Sequence, residues 1–425
     1  MSLLIQNGDL ILPGGRIETG LDIRLRGEKI AEIGRGLSLN GEKTFNADGM
    51  LVTPSLIDMH VHLRDPGQTH KETLETGGQA AAAGGFTQAV CMANTDPALD
   101  SPELIIDLLK RAETRCPVDI RPVGAITLGI NGERPAPYDA LLKAGACAFS
   151  DDGKSAMDEG IMRRLLKKSA RRDFPVLVHC EDPLIAGEGV INSGETAKAL
   201  GVPGIPPSAE EAVVARDARL CLETGGRLHI QHLTTRAGVE IVRRAKALGA
   251  NMTAEACPHH FALDDSAVLT HGADAKMNPP LRTRDDMDAL IEGLADGAID
   301  AIATDHAPHS PDEKARGLLD APFGVIGLEL CVPLVWTHLV LKGKMSAVEA
   351  VDKMTRAPAE ILRLPVPSLE IGAPADIAVI DPHLEIAVSG NEIFSKSGNT
   401  PFMGARLRGW PVLTVRRGTA LFQRS

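Results

Sequence analysis

The sequence predicts an α/β fold: a (β/α)8 barrel over residues 53–366, with a small β-domain built jointly from residues 1–52 and 367–425. Three observations lead there. Eight apolar, β-prone segments alternate with helical segments through the middle of the chain, the pattern of parallel strands joined by crossover helices. Polar clusters sit at the trailing end of nearly every one of those segments, where barrel enzymes gather their active sites. Both chain ends change style, to short strands separated by turns.

The first fifty residues contain "SLLIQNGDLILPGGRI", "LDIRLRGEKIAEIG" and "EKTFNADGMLVT", punctuated by Asn-Gly, Pro-Gly-Gly and Arg-Gly-Glu-Lys as hairpins require. The tail from Ile371 repeats this style. Between the ends, the strand candidates are "LIDMHVHL", "GFTQAVCMANT", "VDIRPVGAIT", "ACAFSDDG", "FPVLVHCED", "RLHIQHLTT", "NMTAEACPHH" and "IDAIATDHAPH". Helical periodicity fills the gaps, as in "SPELIIDLLKRAETR", "EGIMRRLLKKSARR" and "AGVEIVRRAKALGA". Ser101 and Ser208 are expected to cap helices, and Gly225-Gly226 to stop one. The basic run "MRRLLKKSARRD" places its charges on the outer face of an amphipathic helix, so it predicts solvated surface rather than a nucleic-acid patch.

At 425 residues the chain is long enough for a large core plus a second unit. A formal net charge of -11 argues against nucleic acid or an anionic membrane as partner, since both would repel it. No leader-like N-terminus and no membrane-length apolar run are present, so a cytoplasmic location is expected. The seven cysteines are scattered and never form a CxxC pair, which predicts reduced, mostly buried thiols.

The stretch "LIDMHVHLRDPG" (56–67) puts polar groups where core is expected. In a regular strand, Asp58, His60, His62 and Arg64 share one face. His179 ends "PVLVHCED", His232 ends "LHIQHLTT" and Asp305 ends "AIATDHAPH". Four imidazoles and a carboxylate at one barrel mouth would be poorly satisfied without a cation, and they are the usual ligands of zinc and its neighbours. "FSDDG" adds Asp151 and Asp152, of which alternation aims only one at the centre. Arg64, in phase with the histidines, could hold a substrate carboxylate by a two-pronged contact.

The pieces "DMHVHLRDPG", "CMANTDP", "FSDDG", "VHCED", "IQHLTT", "CPHHF", "MNPPLR", "TDHAPH" and "FGVIGLE", running from Asp58 to Glu329, together resemble the class I dihydroorotases of the amidohydrolase superfamily. The resemblance implies His60, His62 and Asp305 at a first metal, His179 and His232 at a second, and Asp152 as the bridge. Many amidohydrolases, hydantoinases and allantoinases among them, carry a carbamylated lysine as that bridge; "ACAFSDDG" has no lysine, and Lys154 lies beyond it. The resemblance further implies Asn94 and His309 beside Arg64 at the substrate carboxylate, Asn278 at the ring, and backbone near Phe323-Gly324 at the ring amide. One or two Zn2+ ions are the implied cofactor.

The implied reaction is reversible hydrolysis of dihydroorotate to N-carbamoyl-L-aspartate, a step of pyrimidine synthesis. A metal brings the pKa of bound water to about 7, giving a hydroxide nucleophile. Asp305 would serve as general base and then acid. Two alternatives accompany this reading: another cyclic amidase (hydantoinase, allantoinase or dihydropyrimidinase type), and a non-catalytic partner of aspartate transcarbamoylase. A homodimer, and association with that transcarbamoylase, are further expectations. His259 and His260 are expected to shape the rim, and His229 to point away from His232. The stretch from Ser310 to Gly324 is expected to be a loop able to act as a lid.

Overall fold

The structure, a computed structural model, describes residues 2–424. Its central element is a parallel sheet of eight strands in sequence order: Leu56–Val61, Phe86–Cys91, Asp119–Gly124, Ala148–Phe149, Pro175–Val178, Arg227–Ile230, Met252–Ala256 and Ala301–Ile302. The sheet closes on itself where Val61 bridges His306 in parallel fashion and the His62 N–H donates to the His306 carbonyl at 2.8 Å. All eight predicted strands are present, though the fourth and eighth keep only two paired residues each.

Helices follow each of the first seven strands, among them Leu74–Ala83, Pro102–Arg115, Glu159–Arg172, Ser208–Thr224 and Arg284–Asp296. The basic helix Glu159–Arg172 buries Ile161, Met162, Leu165 and Leu166 while Arg163 pairs outward with Glu159 and Glu223, so its cations are solvated surface. Gly225 closes its helix in the left-handed conformation. Ser101 precedes its helix without making a side-chain cap, and Ser208 is already inside the next one, whose cap position is Pro207. The cap expectation fails at Ser208 because Pro206-Pro207 turns the chain one residue early.

Strict alternation in the first strand also fails. All six residues of Leu56–Val61 are buried, and the pairing register slips between Asp58 and Val61. A barrel strand is covered on both sides, by the interior and by helices, so alternation no longer marks inside from outside. Met59, Val90, Val123, Ala148, Leu177 and Ala301, from six strands, pack into one cluster with Ile361 and Leu362. That cluster fills the barrel interior from the end opposite the site.

The chain ends build one sheet. Its strands run in the order Thr419–Gln423, Arg406–Arg416, Ile377–Ala387, Leu51–Pro54, Ser2–Leu12, Arg16–Arg26 and Lys29–Gly34. Ile377–Ala387 pairs antiparallel with Leu51–Pro54, which stitches the two ends together. "EKTFNADGMLVT" is not one hairpin strand; it splits into Lys43–Asn46 and Leu51–Pro54, both parallel to Ser2–Leu12.

This sheet meets the barrel through Trp410, fully buried with its indole N–H donating to the Leu407 carbonyl at 2.8 Å, and through Gly409. Gly409 has φ +83°, and a Cβ there would stand 2.2 Å from Cγ of Trp336. Gly409→Ala is therefore expected to cost about 2–5 kcal/mol, combining a left-handed backbone with overpacking. Urea denaturation followed by tryptophan fluorescence measures it.

Candidate metal centre and substrate pocket

The C-terminal ends of the strands deliver six titratable side chains to one point. His60, on the first strand, is fully buried; its Nδ1 lies 2.6 Å from Oε1 of Glu255, a fully buried carboxylate on the seventh strand. Ionised Glu255 can only accept, so Nδ1 of His60 donates to it and the ring is held with Nε2 turned into the barrel mouth. His62 is fixed in the same way, with Nδ1 on Oδ1 of Asn94 at 2.8 Å and Nε2 on Oδ1 of Asp305 at 2.9 Å. Three site residues hold positive φ without being glycine: Arg64 at 57°, His232 at 31° and Asp305 at 47°. Backbone strain of this kind, of order 1–3 kcal/mol per residue, collects where function demands one side-chain direction.

Of the two aspartates in "FSDDG", Asp151 turns away and accepts from the Ile126 and Thr127 N–H groups at 2.8 and 3.0 Å. Asp152 faces the imidazoles. Its Oδ1 lies 3.5 Å from His60 Nε2, 3.4 Å from His232 Nε2 and 3.8 Å from His179 Nδ1, while its Oδ2 lies 3.3 Å from His62 Nε2. His60 Nε2 is 3.4 Å from Asp305 Oδ1. Most of these separations are long for hydrogen bonds. They match the edge of a tetrahedron of donors around an ion, about 3.3 Å for bonds of 2.0–2.1 Å.

The donor set fits a divalent ion by a second observation. Oδ1 of Asp152 stands among three imidazole nitrogens, yet it is buried and makes no hydrogen bond. Two triads have ligand atoms within 4.8 Å of one another: His60, His62 and Asp305, and His60, Asp152 and His232. His179 stands beside the second triad, its Nδ1 3.0 Å from His232 Nε2. Electrostatics agree. Burial opposes charge on Asp152 and Asp305, yet the surrounding imidazoles hold both well below the usual carboxylate range. Burial likewise works against a charged His60, but Asp152, Asp305 and Glu255 raise it well above the ordinary value. His179 is pushed down to about 4 by burial and by His232, which leaves it neutral.

Above the cluster opens a cavity of about 300 Å³, with His62, Asp152, His179 and Asp305 on its floor. Arg64, Asn94, Asn278, His309, Phe323 and Gly324 line its walls. His60 and His232 lie beneath that floor. Arg64 is 8% exposed; its Nε donates to the Pro308 carbonyl at 3.2 Å and a terminal nitrogen sits 3.2 Å from Nε2 of His309. Burial lowers the guanidinium only to about 10, so it stays charged, and among the described residues no carboxylate forms an ion pair with it. Burial and then the Arg64 charge push His309 down to about 2, keeping it a neutral acceptor. Arg64 reaches the pocket through its positive φ, beyond the strand that ends at Val61, and not through the phase of a continuing strand.

Sequence reasoning missed the support behind these groups. Glu255 also bonds His229, Oε2 to Nε2 at 3.0 Å, so His229, which makes no contact with His232, is tied to His60 from behind through one carboxylate. The strand ends at Ile230, and His232 is turned by its own positive φ, so spacing along the strand does not by itself relate the two side chains. A lone glutamate inside "TAEACPHH" was the signal available, because a carboxylate in a buried strand needs a partner. Asn399, from the C-terminal segment, accepts from the His309 N–H at 3.0 Å and donates to the carbonyls of Ala307 and Gly324. The 310–324 segment is more ordered than expected. It contains short helices Pro311–Lys314 and Gly317–Asp320, and the Lys314 ammonium donates to the carbonyls of Ala273, Lys276 and Pro322 at 2.8, 3.1 and 3.0 Å.

The family model described as "Dihydro-orotase-like" matches residues 49–238. A dihydroorotase of Pelotomaculum thermopropionicum is 47% identical over 100% of this chain and 99% of its own length. A dihydroorotase of Lactococcus lactis is 43% identical, with both chains fully covered.

The chain belongs to the dihydroorotase family.

Among solved structures, the L-hydantoinase (dihydropyrimidinase) of Arthrobacter aurescens superposes with a TM-score of 0.89 at 25% identity, covering 100% of this chain and 96% of that one. The D-hydantoinase of a Thermus species gives 0.85 at 26% identity, covering 99% and 95%. This chain and these hydantoinases thus share one fold, and the family relation rests on the closer dihydroorotase matches.

Glu255→Gln removes the charged acceptor behind His60 while keeping size. It is expected to weaken divalent-ion affinity about 10–100-fold. Chelator competition on the purified variant measures this, with circular dichroism verifying the fold.

Proposed function

We propose that this chain is a metal-dependent hydrolase of cyclic amides that opens dihydroorotate to N-carbamoyl-L-aspartate and closes it again. The observation that carries the reading is a juxtaposition: a buried guanidinium without a carboxylate partner faces the same 300 Å³ cavity as the imidazole–carboxylate cluster. A desolvated, unpaired Arg64 calls for an anionic ligand, and dihydroorotate carries a carboxylate. Whole-length similarity to dihydroorotases at 43–47% identity supports the same assignment.

His60, His62, His179, His232, Asp152 and Asp305 would hold the metal, for which imidazole and carboxylate donors suit zinc, as one ion or two. When bound, such an ion supplies an acidified water and polarises the ring carbonyl. Asp305 then takes the proton of the attacking water as the C–O bond forms. It returns that proton to the ring nitrogen as the C–N bond breaks, leaving an N–H and a new carboxylic acid, which gives its remaining proton to solvent and becomes a carboxylate. Its placement favours this task, since its Oδ1 is held by His62 and its φ of 47° aims it at the cavity floor. Arg64, Asn94 and His309 would orient the substrate carboxylate, with Asn278 and backbone at Phe323-Gly324 on the ring. Gly324 is required there because a Cβ would lie 2.6 Å from the Ala307 carbonyl oxygen.

Loss of dihydroorotate absorbance on incubation with metal-loaded protein tests the activity, with hydantoin, allantoin and dihydrouracil as competitors; preference for an uncharged ring would overturn the role of Arg64. Asp305→Asn is expected to abolish turnover while circular dichroism stays unchanged, and full activity in that variant would exclude the proton-transfer role. Arg64→Ala removes a charge-assisted contact worth about 1.5–3 kcal/mol, so the substrate KM should rise roughly 10–100-fold with a smaller change in kcat. Steady-state kinetics on that variant decide it.

A further inference from the structure

The end of the seventh barrel strand carries a second group of ligand-type side chains that the reaction above does not use. Cys257, His259 and His260 are 0%, 2% and 3% exposed, and the thiol and one nitrogen of each imidazole lie within 4.8 Å of one another. The two rings pack edge to face with centroids 4.2 Å apart.

The protonation state of His260 follows from its surroundings. Nε2 stands 2.9 Å from the Pro279 carbonyl oxygen, which can only accept, so Nε2 bears the proton and Nδ1 holds a lone pair. That Nδ1 is buried with no hydrogen-bond partner, and Nε2 of His259 is orphaned in the same way. Burying a polar atom without a partner is unfavourable, and each of these two imidazoles carries one such nitrogen. An imidazole that donates one N–H to a backbone carbonyl and turns the other nitrogen inward is in the state a coordinating histidine adopts. An apolar rim-shaping role needs none of this.

We propose that Cys257, His259 and His260 form a separate site for a borderline-soft transition ion of the zinc class. It shares no residue with the imidazole–carboxylate cluster. Sulfur and two neutral imidazoles make three of the four positions such an ion takes, and water completes the fourth. On binding, the S–H bond breaks, the proton passes to solvent and the sulfur–metal bond forms.

The test exploits the sulfur, because the first cluster contains only nitrogen and oxygen donors. The full chain is loaded with Co2+ and its near-ultraviolet spectrum recorded, with metal content measured by elemental analysis. A thiolate-to-cobalt charge-transfer band in the unaltered protein, lost in Cys257→Ser together with one equivalent of ion per chain, supports the site. Absence of that band, or its persistence with unchanged ion content in the variant, overturns it. Should Cys257→Ser fail to fold, X-ray absorption on the zinc-loaded unaltered protein replaces it. A sulfur at about 2.3 Å then supports the proposal, and a purely nitrogen and oxygen environment sinks it.

Discussion

The carboxylate of Asp152 stands within 3.3–3.8 Å of four imidazoles that come from three different strands. Such an arrangement is affordable only in a place that water barely reaches and that a cation can share. In that low-dielectric setting the carboxylates and imidazoles are far more strongly coupled than in water. The barrel makes the arrangement possible. Parallel strands all end at the same face, and short strands bring those ends close, so residues 245 positions apart, such as His60 and Asp305, meet at 3.4 Å.

Behind the cluster lies a layer of carboxylates with no contact to the cavity. Glu255 joins His60 to His229, and Asp58 accepts from the backbone of His60 and Thr304. Glu72 bonds His306 at 3.3 Å and the Lys396 N–H at 3.2 Å, linking the barrel's closing residue to the C-terminal segment. Asn399 does the same for the wall containing His309 and Gly324. The strand-rich ends are therefore more than an appendage: the chain that returns from their sheet supports the pocket wall.

Selectivity rests on different groups from those that make the fold. The barrel sets where strand ends gather, while the side chains that line the mouth are free to differ. In this chain the cluster is built around Asp152, and the pocket above it holds Arg64 without a carboxylate partner among the described residues. The first contributes negative charge to the cluster, and the second places a buried positive charge on the pocket wall. Among the described residues no helix is long and apolar enough to cross a membrane.

Local sequence determined the elements. Eight apolar runs with polar endings specified eight strands and the rim where those endings gather, because side-chain chemistry at a strand terminus does not depend on the rest of the fold. It also brought His60, His62, Asp152, His179, His232, Asp305, Arg64 and the other pocket residues into consideration, since few alternatives explain so many imidazoles at strand ends. Orientation was another matter. His229 backs the site through Glu255, and Arg64 reaches it off-strand because a register slip and positive φ values override simple alternation. Those departures are imposed by barrel closure and by contacts between distant segments, as are the partners of Glu255, Glu72 and Asn399. Pairings of that kind are decided by tertiary packing alone, because neither member carries any local mark of the other.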